Sequence, residues 1–318
     1  MKRVLVIADS RSYIKSNCFQ KQLHKSIKDN VKNVKLDYFY LEPRQLQKLS
    51  MMIKRKNVYS FVVSTLRQRI LFRNIRLIDS LIGNTPLKLY DQDPWNNYID
   101  NSNTYDCYNT INRNLNLLRI YVTSHYWADY ISKNDKLPSA FVKMGMLPQL
   151  CNLGLDQYAR GKRVEFKGTL YPHREQAFDE MIKHGLALKF DSRILEYSDY
   201  LKYLRKLAIF VHDESGYWKC RGENVPMSTG MWVKDLEIAS QGCFSVRNYH
   251  SDYQTYSLGL IPLIKFYRDP SEVKSIVEEI FALTPEASKE IQIASQQYIA
   301  QNDNWSSTVR EIFETQVL

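Results

Sequence analysis

Three aspartates in the first half of this chain stand where a carboxylate can take a proton from a hydroxyl. Asp9 follows the apolar run at 4–8. Asp91 and Asp93 follow the run at 87–90, in the stretch Asp91-Gln92-Asp93-Pro94-Trp95. A carboxylate at the carboxyl end of a buried strand lies at the edge where α/β sheets bind ligands, and it can act as a general base. Asp93 or Asp91 is preferred, with Asp9 third; the competing reading of each is a turn or helix-capping residue. In the second half, the stretch 229–248, TGMWVKDLEIASQGCFSVRN, reads as a helix stopped by Gln241-Gly242 and followed at once by a buried strand. Its Glu237 is a carboxylate suited to holding ligand hydroxyls. Lys234 lies one turn earlier on the same face. Farther upstream, Gly168-Thr169 forms a turn between a strand and a helix starting near His173. Backbone N–H groups and the helix dipole there suit a diphosphate, and Arg174 at the helix start can neutralise it. The competing readings are a solvated helix residue for Arg174 or Lys234 and a surface glutamate for Glu237.

The elements that must position these residues alternate. In the first half, strands are predicted at 4–8, 34–40, 59–64, 87–90, 120–123 and 140–147. Helices are predicted at 17–30, 43–55, about 70–81, about 103–117 and at HYWADYI. Residues 148–162, with Pro148, Gly154 and Gly161, break the pattern and read as a linker. The alternation then restarts, with strands at 164–166, 186–190, 207–212, 243–246 and 260–266. Helices are predicted at 173–184, 198–205, around Glu237, and at 270–282, 284–301 and 304–316. Residues 213–228 read as a long irregular loop. The βαβα order predicts an α/β fold of two Rossmann-like, doubly wound domains, 1–150 and 151–318, facing a central cleft. The C-terminal helix is placed to cross back to the first domain.

Composition narrows the function classes. The 318 residues are 44% hydrophobic and 25% charged, with 11 glycines and 10 prolines, so neither low complexity nor disorder fits. No run approaches the ~18 apolar residues of a membrane span. The opening MKRVLVIAD is too short for a signal peptide and is closed by Asp9 and Arg11, so a first strand and a cytoplasmic location are expected. The five cysteines are scattered without a CxxC and are expected to be reduced. A net charge of +10 suits an anionic membrane leaflet, a nucleic acid or phosphorylated substrates. Much of the excess lies in the first half, from Lys21 to Arg76.

The segments FKGTLYPHREQAFDEMIKHG, YSDYLKYLRKLAIFVHDE, KDLEIASQGCFSVRNY and FYRDPSEVKSIVEEI resemble the nucleotide-sugar domain of group 1 glycosyltransferases of the GT-B type, particularly the CgeB-like branch. The resemblance covers roughly 150–318. The first half shares only the architecture and a segment like TSHYWADYI. What the resemblance implies is a glycosyltransferase that moves a sugar from a nucleotide-sugar donor to an acceptor hydroxyl, in bacterial surface-glycan or other glycoconjugate synthesis. Residues 1–150 would bind the acceptor and 151–318 the donor. Glu237 would accept hydrogen bonds from two ribose hydroxyls. Gly168, Thr169, Arg174, Lys234, Arg221 and His125 are the other candidates for the donor. Retaining members of the group often carry a second glutamate eight positions before the first; here that position is Thr229.

No cofactor and no metal are expected. Asp91-Gln92-Asp93 is also a DxD, the metal-holding motif of GT-A enzymes, but a GT-A reading leaves the second Rossmann-like half without a role. The expected partners are a nucleotide sugar, a glycan or lipid-linked acceptor, and an anionic membrane surface met by the basic first half. Two alternatives stand beside this reading. One is a phage-type enzyme that glycosylates DNA bases, whose binding would depend on salt. The other is a non-catalytic, two-lobed ligand-binding protein. A Rossmann oxidoreductase is disfavoured because no GxGxxG follows any strand.

Overall fold

The computed structural model describes residues 2–42, 58–151, 160–193, 195–229, 233–249 and 260–314. The helix expected at 43–55 and most of the linker expected at 148–162 lie outside the described residues. The chain divides into two compact units. The first is Met1–Lys143 with Trp218–Val225 and Ser306–Leu318; the second is Met144–Tyr217 with Pro226–Trp305.

The first unit is built on six parallel strands: β1 (Arg3–Ala8), β2 (Lys35–Tyr40), β3 (Phe61–Ser64), β4 (Leu87–Asp91), β5 (Leu117–Val122) and β6 (Ser139–Phe141). Their order is β2-β1-β3-β4-β5-β6. Residues Val4 to Ala8 of β1 are all fully buried, as a central strand covered on both faces requires. Polar side chains start the helices that follow. Ser10 accepts from the Tyr13 amide at the start of α1 (Arg11–Ser16), and Asn17 accepts from the Gln20 amide at the start of α2 (Cys18–Asn30). Next come α3 (Gln68–Arg73), α4 (Ile75–Ile82), α5 (Cys107–Asn114) and α6 (His125–Tyr130). The strand expected at 140–147 is shorter, because pairing with β5 ends at Phe141.

The second unit repeats the plan with β7 (Val164–Lys167), β8 (Lys189–Asp191), β9 (Ile209–His212), β12 (Phe244–Asn248) and β13 (Ile264–Tyr267), ordered β13-β12-β9-β7-β8 and again all parallel. Its helices are α7 (Pro172–Lys183), α8 (Tyr197–Lys206), α9 (Val233–Ser240), α10 (Val273–Phe281) and α11 (Pro285–Asn302). Counted along the chain, both sheets begin 2-1-3-4-5. Each therefore reverses winding direction beside its first strand, between β1 and β3 and between β7 and β9.

The unit boundary falls at 143/144 rather than 150/151, and two later segments return to the first unit. The first of these corrects an expectation. Residues 213–228 are not an irregular loop: β10 (Tyr217–Cys220) and β11 (Glu223–Pro226) form a hairpin. Its turn puts Arg221 and Gly222 at φ +51° and +83°, the pair of left-handed residues that a tight hairpin turn needs. The Trp218 ring stacks on Trp95 at 4.5 Å, and Arg221 pairs with Asp135 at 2.7 Å. The second is α12 (Trp305–Glu314), the last described helix, which brings Phe313 against Phe61 and offers the Ile312 carbonyl to Lys88 Nζ at 2.7 Å. The expected return of the C-terminal helix to the first unit is observed. Among the described residues no helix is long and apolar enough to cross a membrane.

Candidate functional site

In the first unit, a pocket of about 370 Å³ opens at the carboxyl ends of β3 and β4, beside the reversal of winding. Asp91 and Asp93 line it, together with Gln68, Arg69 and Arg73 from α3. The two carboxylates are not equivalent. Asp91 ends β4, accepts from the Asp93 amide at 2.9 Å and from the Tyr108 hydroxyl at 2.7 Å, and so is held in place. Asp93 accepts from Gln92 Nε2 at 3.2 Å. Burial, and after it the charge of Asp91, raise the Asp93 carboxyl to about 7. A carboxylate that gains its proton near neutrality is matched to general-base work.

Asp9 is engaged differently. It receives Arg67 Nε at 3.2 Å and Nη2 at 3.0 Å in a forked pair. The Arg67 guanidinium also stacks on Tyr13 at 3.8 Å. Asp9 thus anchors α3 to β1, and the structure separates it from the Asp91–Asp93 pair in role. His125 stands first in α6, exposed and stacked on the Phe141 ring at 3.7 Å.

In the second unit the residues expected at the donor converge on the reversal between β7 and β9. Gly168 follows β7 with φ +149°, and a side chain there would meet the Phe166 ring at 3.2 Å and Lys234 Nζ at 3.3 Å. The positive φ favours glycine here, and any side chain would press on the ring and the ammonium. Lys234 makes no hydrogen bond to any described residue. Burial lowers its pKa against the opposing pull of Glu214. It lies over the rings of Phe166 and Phe210 at 5.5 and 5.7 Å. Glu237, one turn along α9, is 3% exposed rather than a surface residue.

Arg174 is buried, not solvated. Three of its donors are spent: Nε on the Asp213 carbonyl at 3.0 Å, Nη1 on the Thr169 carbonyl at 2.7 Å, and Nη2 on Glu214. It therefore shapes the Gly168-Thr169 turn from behind and links it to the loop after β9. Burial opposes ionisation of Glu214, but His212, Arg174 and Lys234 outweigh it and hold the carboxyl at about 2. Arg221 is not part of this group; its charge is committed to Asp135 and Asp106 in the first unit.

One cluster escaped the sequence. His212, Asp235 and Arg247 are fully buried. Asp235 accepts from His212 Nε2 at 2.9 Å and from Arg247 Nη1. Helix α9 is thereby tied to β9 and β12, which fixes Lys234 and Glu237 on either side of Asp235. A histidine closing the strand in KLAIFVH was the available signal.

No family model matches the chain, and no curated protein sequence does. Solved structures do. HepE of Anabaena, in complex with UDP and glucose, is similar with a TM-score of 0.64 at 11% identity over 99% of each chain. Sucrose-phosphate synthase of Thermosynechococcus elongatus has 0.58 at 10% over 99% of this chain and 98% of its own. A UDP-forming trehalose-phosphate synthase of Burkholderia vietnamiensis has 0.57 at 9% over 99% of each. With two parallel units of matching strand order and likeness along the whole chain, the fold is the two-domain Rossmann-like GT-B fold.

Proposed function

We propose that this protein is a glycosyltransferase that takes its sugar from a nucleotide-sugar donor, uses no metal, and works in bacterial glycan or glycoconjugate synthesis. The observation that carries the reading is the close approach of Lys234 to Gly168 after the first strand of the second unit, with the buried Glu237 one turn along the same helix. That unit belongs to a fold shared end to end with a protein solved with UDP-glucose. The Gly168-Thr169 turn and Lys234 hold the leaving diphosphate, and Glu237 holds the ribose hydroxyls. In the first unit, Asp93 takes the proton from the acceptor hydroxyl whose oxygen displaces the diphosphate at the anomeric carbon. The second-half segments favour the CgeB-like branch.

A thermal-shift series with UDP, GDP, dTDP, ADP and CMP tests the donor. One nucleoside diphosphate is expected to raise the melting temperature, since a ligand that binds only the folded state stabilises it by mass action. Absence of a shift with every nucleotide overturns the reading. Transfer is expected to persist in EDTA; loss of activity restored by a divalent ion would assign the carboxylates of Asp91 and Asp93 to a metal instead.

A further inference from the structure

Asp93 opens a 3₁₀ turn, Pro94–Asn97, and its carbonyl accepts from the Asn96 amide at 3.1 Å. Its side chain makes no capping bond to that turn. The place of the carboxylate therefore follows the backbone of 93–97, and two sets of contacts hold that backbone. The first is nearby in the chain. Asn97 Oδ1 accepts from the Tyr108 amide at 2.8 Å, and the Thr104 hydroxyl donates to the Asn96 carbonyl at 2.8 Å. The second set comes from the β10–β11 hairpin, far along the sequence yet part of the first unit. The Trp218 ring lies flat on the Trp95 ring, 4.5 Å between centroids and 10° between planes. Ile99 faces Cys220 in an antiparallel bridge. The Asp100 amide donates to the Lys219 carbonyl at 2.9 Å, and the Arg221 amide donates to the Tyr98 carbonyl at 3.2 Å. The Gly222 amide donates to the Asp100 carboxylate at 2.9 Å.

These contacts reach each residue from Trp95 to Asp100 that follows the turn's first two positions, except the pair Asn96-Asn97 held from the other side. Trp95 and Tyr98 are buried as a result. A stacked aromatic pair of this geometry contributes beyond the area it covers, and without Trp218 the face of Trp95 opens to water. We propose that the hairpin is a positioning element for the proton transfer, with Trp218 its positioning residue, holding the Asp93 carboxylate in place through Trp95. The proposal rests on the function given to Asp93 above. Two consequences follow from the physics. A base displaced by about 1 Å loses on the order of a hundredfold in rate. A turn that swings outward hydrates its carboxylate, and burial is the larger cause of the high Asp93 pKa.

The test compares sugar transfer by wild type, Trp218→Ala and Trp218→Phe from about pH 5 to 9, with melting temperatures measured alongside. Trp218→Ala is expected to lower kcat about tenfold to a hundredfold while the donor KM and the thermal shift with the preferred nucleotide stay at wild-type values. The midpoint of its pH–rate limb should move below 7, toward the ordinary carboxylate range. Trp218→Phe keeps a ring on Trp95 and should restore both readouts. Should Trp218→Ala not fold, Trp218→Leu fills the space without a ring and is read in its place, with the same expectations. A wild-type kcat and midpoint in the ring-less variant, a loss confined to melting temperature, or failure of Trp218→Phe to restore the midpoint overturns the proposal. A second readout needs no substrate: titration of Asp93 by NMR of ¹³C-labelled aspartate, with Asp93→Asn assigning the signal. A midpoint lowered in the ring-less variant, with no transfer from any nucleotide sugar, overturns the function and leaves the positioning of Asp93 standing. A midpoint held at the wild-type value overturns the positioning.

Discussion

At the scale of single residues, Asp93 differs from its neighbours because it lacks their partners. Asp9 is occupied by Arg67 and Asp91 by Tyr108 and a backbone amide. Replacing Asp93 with Asn is expected to lower kcat/KM by about 10²–10⁴. The wild-type rate should rise with pH through about 7, and the variant should lose that limb. Stability follows the opposite sign. The folded carboxyl sits near 7, above its ordinary 3.8, so between these values the folded state holds more protons than the unfolded one. Stability contributed by this group is therefore lost as pH rises across that window, and melting curves of Asp93→Asn should lack the decline. Glu237→Gln is expected to weaken the preferred nucleotide about tenfold to a hundredfold by removing a charged acceptor, with little change in melting temperature without ligand. Wild-type affinity in that variant would remove Glu237 from the ribose.

At the scale of elements, α9 and the β10–β11 hairpin are each held by buried charge. Asp235 joins α9 to His212 and Arg247, all fully buried. Asp235→Asn leaves Arg247 without its counter-charge and is expected to cost about 3–5 kcal/mol in urea unfolding. It should also weaken nucleotide binding, since Lys234 and Glu237 flank it; Glu237→Gln separates the two effects. The hairpin is fixed to the first unit by Arg221, whose partner Asp135 has a side chain only 2% exposed. Arg221→Ala is expected to destabilise by about 1–3 kcal/mol while nucleotide affinity stays at the wild-type value. A loss of affinity instead would return Arg221 to the donor site. The hairpin was hard to see because YWKC and ENVP are short and polar, and the pairing that defines them depends on the Arg221-Gly222 turn and on Trp218 meeting Trp95.

At the scale of the whole molecule, each unit has its own ligand-binding edge, and ligands should stabilise them through separate linkages. The preferred nucleotide at a hundred times its Kd is expected to contribute about 2.7 kcal/mol. Differential scanning calorimetry should show that gain on the transition of the second unit; a gain confined to the first unit would move the donor there. The sequence by itself determined the α/β class, the parallel strands and nearly all the helices. It also placed Asp91, Asp93 and Gly168 at strand ends or beside them, and Glu237 on a helix. Those features follow from hydrophobic period, glycine and capping residues, which act within a few positions of the chain. Only the tertiary structure decided that Arg174 is spent inside its own unit, that Arg221 serves the first unit, that His212, Asp235 and Arg247 meet, and that Gln68, Arg69 and Arg73 share a pocket with Asp93. Each of these depends on which side chains from distant segments meet and on what burial then does to their charge, and no local pattern encodes either.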